Sequence, residues 1–207
     1  MRRAGRLDDG LNQLRPTKED TVQVTNIVNG VDLDRLHATI DAVNADTALA
    51  RFQFRARNQW IDGGHSSTTI MQFYGAGQED TSRTEPFVVD VDEPPVLLGK
   101  DQAPNAGEYL LHALAACLTG AIVYHAAARG IALNGLECTV EGDLDVRGFL
   151  GLDGEVRPGY ESIRATFRAT GDFDDQQLAE LATLTRYSPV RDVVANPVPL
   201  AIDVVRA

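Results

Sequence analysis

One long apolar segment, Leu110 to Ala128, constrains the fold of this chain more than any other feature. It is long enough in principle to cross a membrane, but it carries two histidines, a threonine and a glycine. Such a segment also suits a helix that is packed on all sides in a protein core. A cation followed by glycine, Arg129-Gly130, is typical of a helix C-terminus. We therefore predict a buried core helix that begins near Glu108 and ends at this pair.

The net charge and the two cysteines limit which kinds of partner and which cellular compartment we expect for this protein. The formal net charge of −11 at pH 7 repels phosphate backbones and anionic lipid surfaces, so we predict no nucleic-acid and no membrane partner. No apolar stretch follows the arginines of residues 1–10, which argues against a secretory signal. Both cysteines, Cys117 and Cys138, lie in apolar patterns where reduced thiols are stable. This use of cysteine favours a cytoplasmic protein.

The N-terminal part of the chain differs from the rest. The first thirty or so residues are polar and aperiodic, which predicts an arm or loop. From Asp32, a predicted N-cap, apolar residues recur at helical spacing at Leu33, Leu36, Ile40 and Val43. They predict an amphipathic helix of about four turns. We assign residues 1–50 to this arm and helix, and residues 51–207 to the main domain.

Period-two alternation predicts a set of short strands on both sides of the central helix. Three strands precede it, over Ala50–Arg57, Ser67–Tyr74 and Pro86–Val91. The turn sequence Asp62-Gly63-Gly64 joins the first two as a hairpin. Two longer strands follow the helix, over Leu136–Phe149 and Tyr160–Thr170.

Helix-start signals then predict two helices. Asp174-Asp175 begins one that runs to about Tyr187, Ser188-Pro189 begins a short one, and Val198–Val205 is predicted as a final strand. The order of strands, long helix, strands, helices and strand is typical of an α+β fold with antiparallel sheets.

Four separate motifs resemble those of the OsmC/Ohr family: Asp101–Thr119 with its Pro104-Asn105 turn, Arg129-Gly130-Ile131, Glu141–Asp145 and Ser188-Pro189-Val190. The resemblance covers roughly residues 51–207. It implies an intertwined two-fold homodimer in which antiparallel sheets wrap paired central helices, with a thiol site at the subunit interface. It also implies peroxiredoxin-like reduction of organic hydroperoxides under oxidative stress, with one cysteine as nucleophile and a second to resolve the sulfenic acid.

The cysteines match this scheme in part. Cys117 is at the nucleophile position, where chemistry requires a thiolate; the alternative is a small, inert core residue. Ser188 occupies the position of the resolving cysteine and is not redox active, but it suits a helix N-cap. Cys138 shares strand parity with Leu136 and Val140, so we predict a core residue, with a resolving role as the weaker alternative.

Two charged positions of the family pattern also differ. The family's glutamate lies ten residues before the cysteine, where this chain has Gly107; Glu108 is displaced by one residue, to the opposite side of a regular helix from Cys117. Glu108 is therefore a weak candidate. The family's hairpin arginine is absent from Gly64–Ser67, where His65 is a substitute of interest. Four other arginines are candidates to replace the missing hairpin arginine: Arg55, Arg57, Arg186 and Arg191.

Two histidines share the central helix with Cys117. His112 is about 140° around the helix from Cys117, and His125 is about 80° around but roughly 12 Å along the axis, so neither is an intrahelical base for the thiol. Each could approach a pocket across a dimer axis, which makes both histidines pocket candidates. The alternative is that each is a core histidine whose polar atoms have hydrogen-bond partners. No usual metal-ligand spacing is present, so we predict no metal and no cofactor.

Two functions are consistent with these residues. One is a one-cysteine organic hydroperoxide reductase that acts through Cys117 and is recycled by an external thiol. The other is a non-catalytic homodimer that binds a small apolar ligand in the subunit-interface pocket. A purely structural or regulatory dimer is the generic alternative.

Overall fold

The computed structural model describes residues 26–206, which form two compact units that divide between Ala106 and Gly107. Residues 1–25, most of the predicted N-terminal arm, lie outside the described residues. The fold is α+β, as predicted, and all of its described strand pairs are antiparallel.

The first unit begins with a small hairpin and a helix. Strands β1 (Ile27–Val28) and β2 (Val31–Asp32) lead into helix α1 (Leu33–Ala45). The predicted N-cap is confirmed, because the Asp32 side chain accepts a hydrogen bond of 3.0 Å from the backbone N–H of Arg35. Only Leu33 of this helix is buried, and Ile40 is exposed. The predicted apolar stripe of α1 is therefore only partly buried among the described residues, because Leu36 and Val43 have intermediate exposure.

A three-stranded sheet follows, in the order β3-β4-β7, with β3 Arg57–Asp62, β4 His65–Ile70 and β7 Phe87–Val91. The hairpin turn at Gly63-Gly64 is confirmed, and Gly63 has a left-handed φ of +55°. A separate hairpin joins β5 (Phe73–Gly75) to β6 (Gln78–Asp80).

The predicted strand over Ala50–Arg57 was wrong, because the Gly63-Gly64 turn sets the register and places the partner of β4 after that stretch. A 3-10 helix ends at Ala50, and Gln53 makes one isolated bridge to Tyr74. The rings of Phe52, Phe54 and Phe73 pack together instead, with centroids 5.5–6.3 Å apart. The predicted strand Ser67–Tyr74 is divided between β4 and β5.

A buried carboxylate organises the loop after β7. Asp92 is 2% exposed and accepts backbone N–H bonds from Glu93, Lys100 and Gln102. Burial raises the pKa of this carboxyl, but the three N–H donors outweigh that effect and hold the pKa below its usual value. Gly99 is required here, because a Cβ at this position would lie 1.7 Å from the carbonyl oxygen of Glu93.

The second unit contains the central helix and the longest strands. Helix α2 (Ala106–Ala127) is followed by β8 (Gly135–Asp143), a short helix α3 (Val146–Phe149) and β9 (Ser162–Thr170). Strands β8 and β9 pair along their whole length, from Gly135 opposite Thr170 to Asp143 opposite Ser162. Helices α4 (Asp175–Leu184) and α5 (Pro189–Ala195) complete the unit, with a 3-10 turn over Thr185–Tyr187 between them.

The hydrophobic core of this unit forms where α2 meets α4. Its buried members are Ile122, Ala126, Ile131, Leu181 and Leu184. Side chains from β8, β9 and the adjoining loops cover this cluster: Leu133, Leu136, Phe167, Ala169 and Phe173. Although α2 has the length and apolarity of a membrane-crossing helix, these contacts bury one of its sides in the core of this unit. The predicted packing on all sides is not seen within the described residues. Gly130 ends the helical segment with a left-handed φ of +70°.

Two strand predictions in this unit were wrong. Residues 146–149 form α3 and not the end of β8, because Asp145 caps a helical turn by accepting from the backbone N–H of Arg147. The predicted strand Val198–Val205 has no regular structure, although its apolar residues alternate. A strand needs a hydrogen-bonded neighbour, and no described strand pairs with this segment.

We predict that Ile122→Ala lowers the free energy of unfolding by about 2–5 kcal/mol, because it removes a side chain from the centre of this core and leaves a cavity. Chemical denaturation monitored by circular dichroism measures the change. Val193→Ala, on the exposed face of α5, is the matched control and should change stability by less than about 0.5 kcal/mol. Equal effects of the two substitutions would contradict the assigned core.

Candidate functional site

The two sides of α2 differ in exposure, and Cys117 lies between them. One side is buried and carries Leu114, Leu118 and Ile122 at intervals of one helical turn. The other side is exposed in this chain, at Glu108, His112, Ala116 and Tyr124. Cys117 is partly exposed and borders both sides. Its sulfur is therefore neither sealed in the core nor freely solvated.

The surroundings of Cys117 within its own unit contain no strong activating partner. Within residues 107–206 the thiol makes no hydrogen bond and no ion pair. Cys138, on the same side of β8 as Leu136 and Val140, is also a free, partly buried thiol. Burial raises the pKa of the Cys138 thiol, which disfavours its reactive thiolate form.

Ser188 is the N-cap of α5. The residue is 1% exposed, and its hydroxyl accepts a hydrogen bond of 3.1 Å from the backbone N–H of Arg191. Pro189 follows at the first helical position, where its missing N–H costs nothing. The predicted capping function of Ser188 is thus confirmed.

Glu108 lies in the first turn of α2, where the helix dipole favours a carboxylate. Its charge acts on Tyr160, a residue that the sequence analysis did not single out. Burial raises the pKa of the Tyr160 phenol, and the Glu108 carboxylate raises it further. Gly142 makes room for this ring, because a Cβ at that position would lie 2.6 Å from it.

The two helix histidines have different environments. His112 is exposed, on the open side of α2. His125 is partly buried, and its ring stacks on Tyr187 with centroids 3.9 Å apart. Burial lowers the pKa of His125, and the nearby cations Arg129 and Arg186 lower it further.

Tyr187 is the centre of a polar cluster that sequence reasoning missed. Arg186 donates a hydrogen bond of 2.7 Å from Nη2 to the Tyr187 hydroxyl, and Arg129 lies over the ring at 5.9 Å. Arg129 also pairs with Glu180 at 2.9 Å. The bond from Arg186 lowers the pKa of the Tyr187 phenol, because it favours the phenolate.

The remaining candidates of the sequence analysis lie in the first unit. His65 begins β4 opposite Asp62, which pairs with Lys100 at 2.9 Å. Arg55 makes a two-pronged bond to Glu79, and Arg57 begins β3. Among residues 26–206, no three His, Cys, Asp or Glu side chains are grouped so that they could hold a metal ion.

Comparison with known proteins identifies the family. A family model described as OsmC-like protein matches residues 99–203, half of the chain. This chain belongs to the OsmC family. The match includes α2 with Cys117, both long strands and the Ser188 cap, so these features lie in the OsmC-like region. No curated protein matches the sequence.

Solved structures of OsmC-like proteins have the same fold. An osmotic stress induced and detoxification response protein from Psychrobacter arcticus 273-4 is 14% identical, with a TM-score of 0.53 over 70% of this chain and 90% of that chain. An OsmC like protein from Mycoplasma pneumoniae is 16% identical, with a TM-score of 0.52 over 70% and 89% of the two chains. At this identity the likeness is one of fold. The predicted OsmC-like architecture of antiparallel sheets and a central helix is confirmed.

We predict that Arg186→Gln raises the pKa of Tyr187 toward 10, because the guanidinium that favours the phenolate is lost. Titration by ultraviolet difference absorbance near the phenolate band measures the pKa. Arg168→Gln removes the same charge from β9 outside this cluster and should leave the titration unchanged. An unchanged Tyr187 titration in Arg186→Gln would show that this hydrogen bond has no influence on the phenol.

Proposed function

We propose that this OsmC-family protein is a thiol-dependent reductase of organic hydroperoxides that acts through Cys117 in a one-cysteine cycle. The observation that carries the proposal is the partly exposed Cys117 thiol, at the border of the open side of α2 and within the OsmC-like region. Burial raises the pKa of the Cys138 thiol and disfavours its thiolate, whereas Cys117 is the cysteine at the position that resembles the family's nucleophile.

The chemistry needs only one protein sulfur. The Cys117 thiolate attacks the terminal oxygen of the hydroperoxide, the O–O bond breaks, and the leaving alkoxide takes up a proton to become the alcohol. The sulfur gains the oxygen and is oxidised to a sulfenic acid. An external thiol then attacks the sulfenic acid, forms a mixed disulfide with Cys117 and releases water. A second external thiol attacks this mixed disulfide, which releases the disulfide of the two external thiols and restores the Cys117 thiol.

Ser188 is the reason for proposing an external reductant. A serine hydroxyl cannot form a disulfide, and this hydroxyl is already an N-cap acceptor for α5. The resolving step of a two-cysteine cycle is therefore absent from this position. Cys138 is a weaker alternative because burial raises the pKa of its thiol and disfavours the thiolate.

A two-fold homodimer in the cytoplasm is part of the proposal. The open side of α2, from Glu108 to Tyr124, has small residues at its middle, Ala116 and Gly120, and a Cβ added at Gly120 would meet no atom within 4 Å. A second copy of α2 packed there would put the Cys117 thiol at a subunit interface. His112 and Glu108 would then face the partner, whereas His65 remains a predicted pocket residue with no assigned contact.

A second candidate function is a non-catalytic homodimer that binds a small apolar ligand in the subunit-interface pocket. It is favoured by the absence, within residues 107–206, of any hydrogen bond or ion pair that would stabilise the Cys117 thiolate. Under this proposal the thiol is a lining residue of the pocket and does not turn over.

Hydroperoxide consumption separates the two candidates. With dithiothreitol as external thiol, we expect the wild type to consume cumene hydroperoxide and Cys117→Ser to lose this activity. Cys138→Ser is the matched control and should retain it. Mass spectrometry after one equivalent of hydroperoxide should find one added oxygen on Cys117. A wild-type protein that consumes no hydroperoxide and keeps an unmodified Cys117 would support the non-catalytic candidate.

A gain of function tests the interpretation of position 188. We predict that Ser188→Cys, treated with one equivalent of hydroperoxide without added thiol, forms a disulfide between Cys117 and residue 188 and loses the oxygen adduct. Peptide mapping under non-reducing conditions detects this bond. If the variant keeps the sulfenic acid on Cys117, position 188 is not in reach of the sulfur and the assigned equivalence is wrong.

A further inference from the structure

The second unit contains an apolar groove that the proposed thiol chemistry does not use. Its volume is about 650 Å³, and it lies between α2, the β8–β9 sheet and the helices α4 and α5. Leu114, Leu118 and Ile122 line it from α2. The sheet contributes Leu136, Ile163, Ala165, Phe167 and Ala169, and the C-terminal helices contribute Leu178, Leu181, Ala182, Val194 and Ala195. Cavities of about 300–1,000 Å³ are typical of small-molecule sites.

The groove and the thiol lie on different parts of α2. The α2 side chains that line the groove, Leu114, Leu118 and Ile122, recur every four residues along the buried side of the helix. Cys117 is not one of the lining residues. From Leu114 to Ile122 the lined length of helix is about 12 Å. An elongated aliphatic group can therefore lie along the groove without meeting the sulfur.

Among the described residues, two polar side chains line the groove, Thr185 and Arg191. The Thr185 hydroxyl already donates a hydrogen bond of 2.8 Å to the carbonyl of Ala182. Arg191 is exposed, and its guanidinium makes no ion pair with any of residues 26–206. Arg191 is the one charged side chain among the described lining residues. It provides a binding point for one negative charge.

We propose that this groove binds a small molecule with an aliphatic body and a single carboxylate, such as a medium-chain fatty acid. The body packs on the leucine and isoleucine side chains of α2 and on Phe167, while the carboxylate pairs with Arg191 at the groove's edge. This site is independent of the thiol chemistry, because Cys117 does not line it.

Calorimetric titration with decanoate and with decanol tests the proposal. The two probes share the aliphatic body and differ in the carboxylate. We expect saturable binding of decanoate at one site per chain, and Arg191→Gln should weaken it about three- to fivefold, as for an exposed ion pair. The affinity for decanol should not change in this variant. Arg168→Gln, a matched loss of charge on β9 outside the groove, should leave both affinities unchanged, as should Cys117→Ser.

Filling the groove provides the steric test. Ala165→Phe on β9 and Ala182→Phe on α4 enlarge lining residues from opposite walls, and at least one that retains cooperative unfolding should lose decanoate binding. The absence of saturable decanoate binding by the wild type would overturn the proposal. The proposal would also be overturned if the folded Ala165→Phe and Ala182→Phe variants bound decanoate as tightly as the wild type. It would be overturned as well if Arg191→Gln weakened the affinities for decanoate and for decanol equally. If the wild type binds neither probe and a filled variant dissociates a dimer, the groove is a protein interface and not a ligand site.

Discussion

The packing of one side of α2 against α4 and the long strands determines the arrangement of the second unit. Ile122 and Ala126 meet Leu181 and Leu184 there, and the cluster is closed by Phe167 and its neighbours. Because a helix presents a different side every few residues, fixing this side leaves the opposite side of an apolar helix open. Cys117 is partly exposed because it lies at the border between them. The functional proposals for the thiol and for the groove both depend on this one orientation.

Helix ends connect the core to the polar groups around it. The 3-10 turn and the Ser188 cap hold α5 at the end of α4, and the same short segment carries Arg186 and Tyr187. Tyr187 stacks on His125 of α2, so the polar cluster lies where the segment between α4 and α5 contacts α2. Arg191 follows the cap by three residues, which places its side chain along the groove. The segment between α4 and the first turn of α5 thus contains the Ser188 cap, the titratable cluster at Tyr187 and the proposed ligand-binding charge of Arg191.

Local signals were predictable from the sequence because they act between residues a few positions apart. The helix starts at Asp32, Asp174-Asp175 and Ser188, the Gly63-Gly64 turn and the Gly130 helix end all belong to this class, and all are confirmed. The long apolar helix was equally clear. The OsmC-like motifs predicted the family, and the family model and the fold comparisons confirmed it.

The errors have a common cause, because strands and sites depend on distant partners. Alternation near Phe52 and at Val198–Val205 predicted strands, but pairing is decided by register and by the presence of a neighbour. Asp145 overrode the strand pattern with a local helical cap. The effect of Glu108 on Tyr160 and the cluster at Tyr187 could not be found by sequence spacing, since these residues are brought together only by folding.

Competitive alkylation of the two cysteines tests most directly whether the orientation of α2 makes Cys117 the accessible nucleophile. Native protein is treated with a limiting amount of iodoacetamide, and mass spectrometry follows the modification of each thiol over time. Both thiols are partly exposed, but burial raises the pKa of Cys138 and lowers its fraction of reactive thiolate, so we predict that Cys117 is modified first. Faster modification of Cys138, or equal rates that match those of the denatured chain, would contradict this assignment.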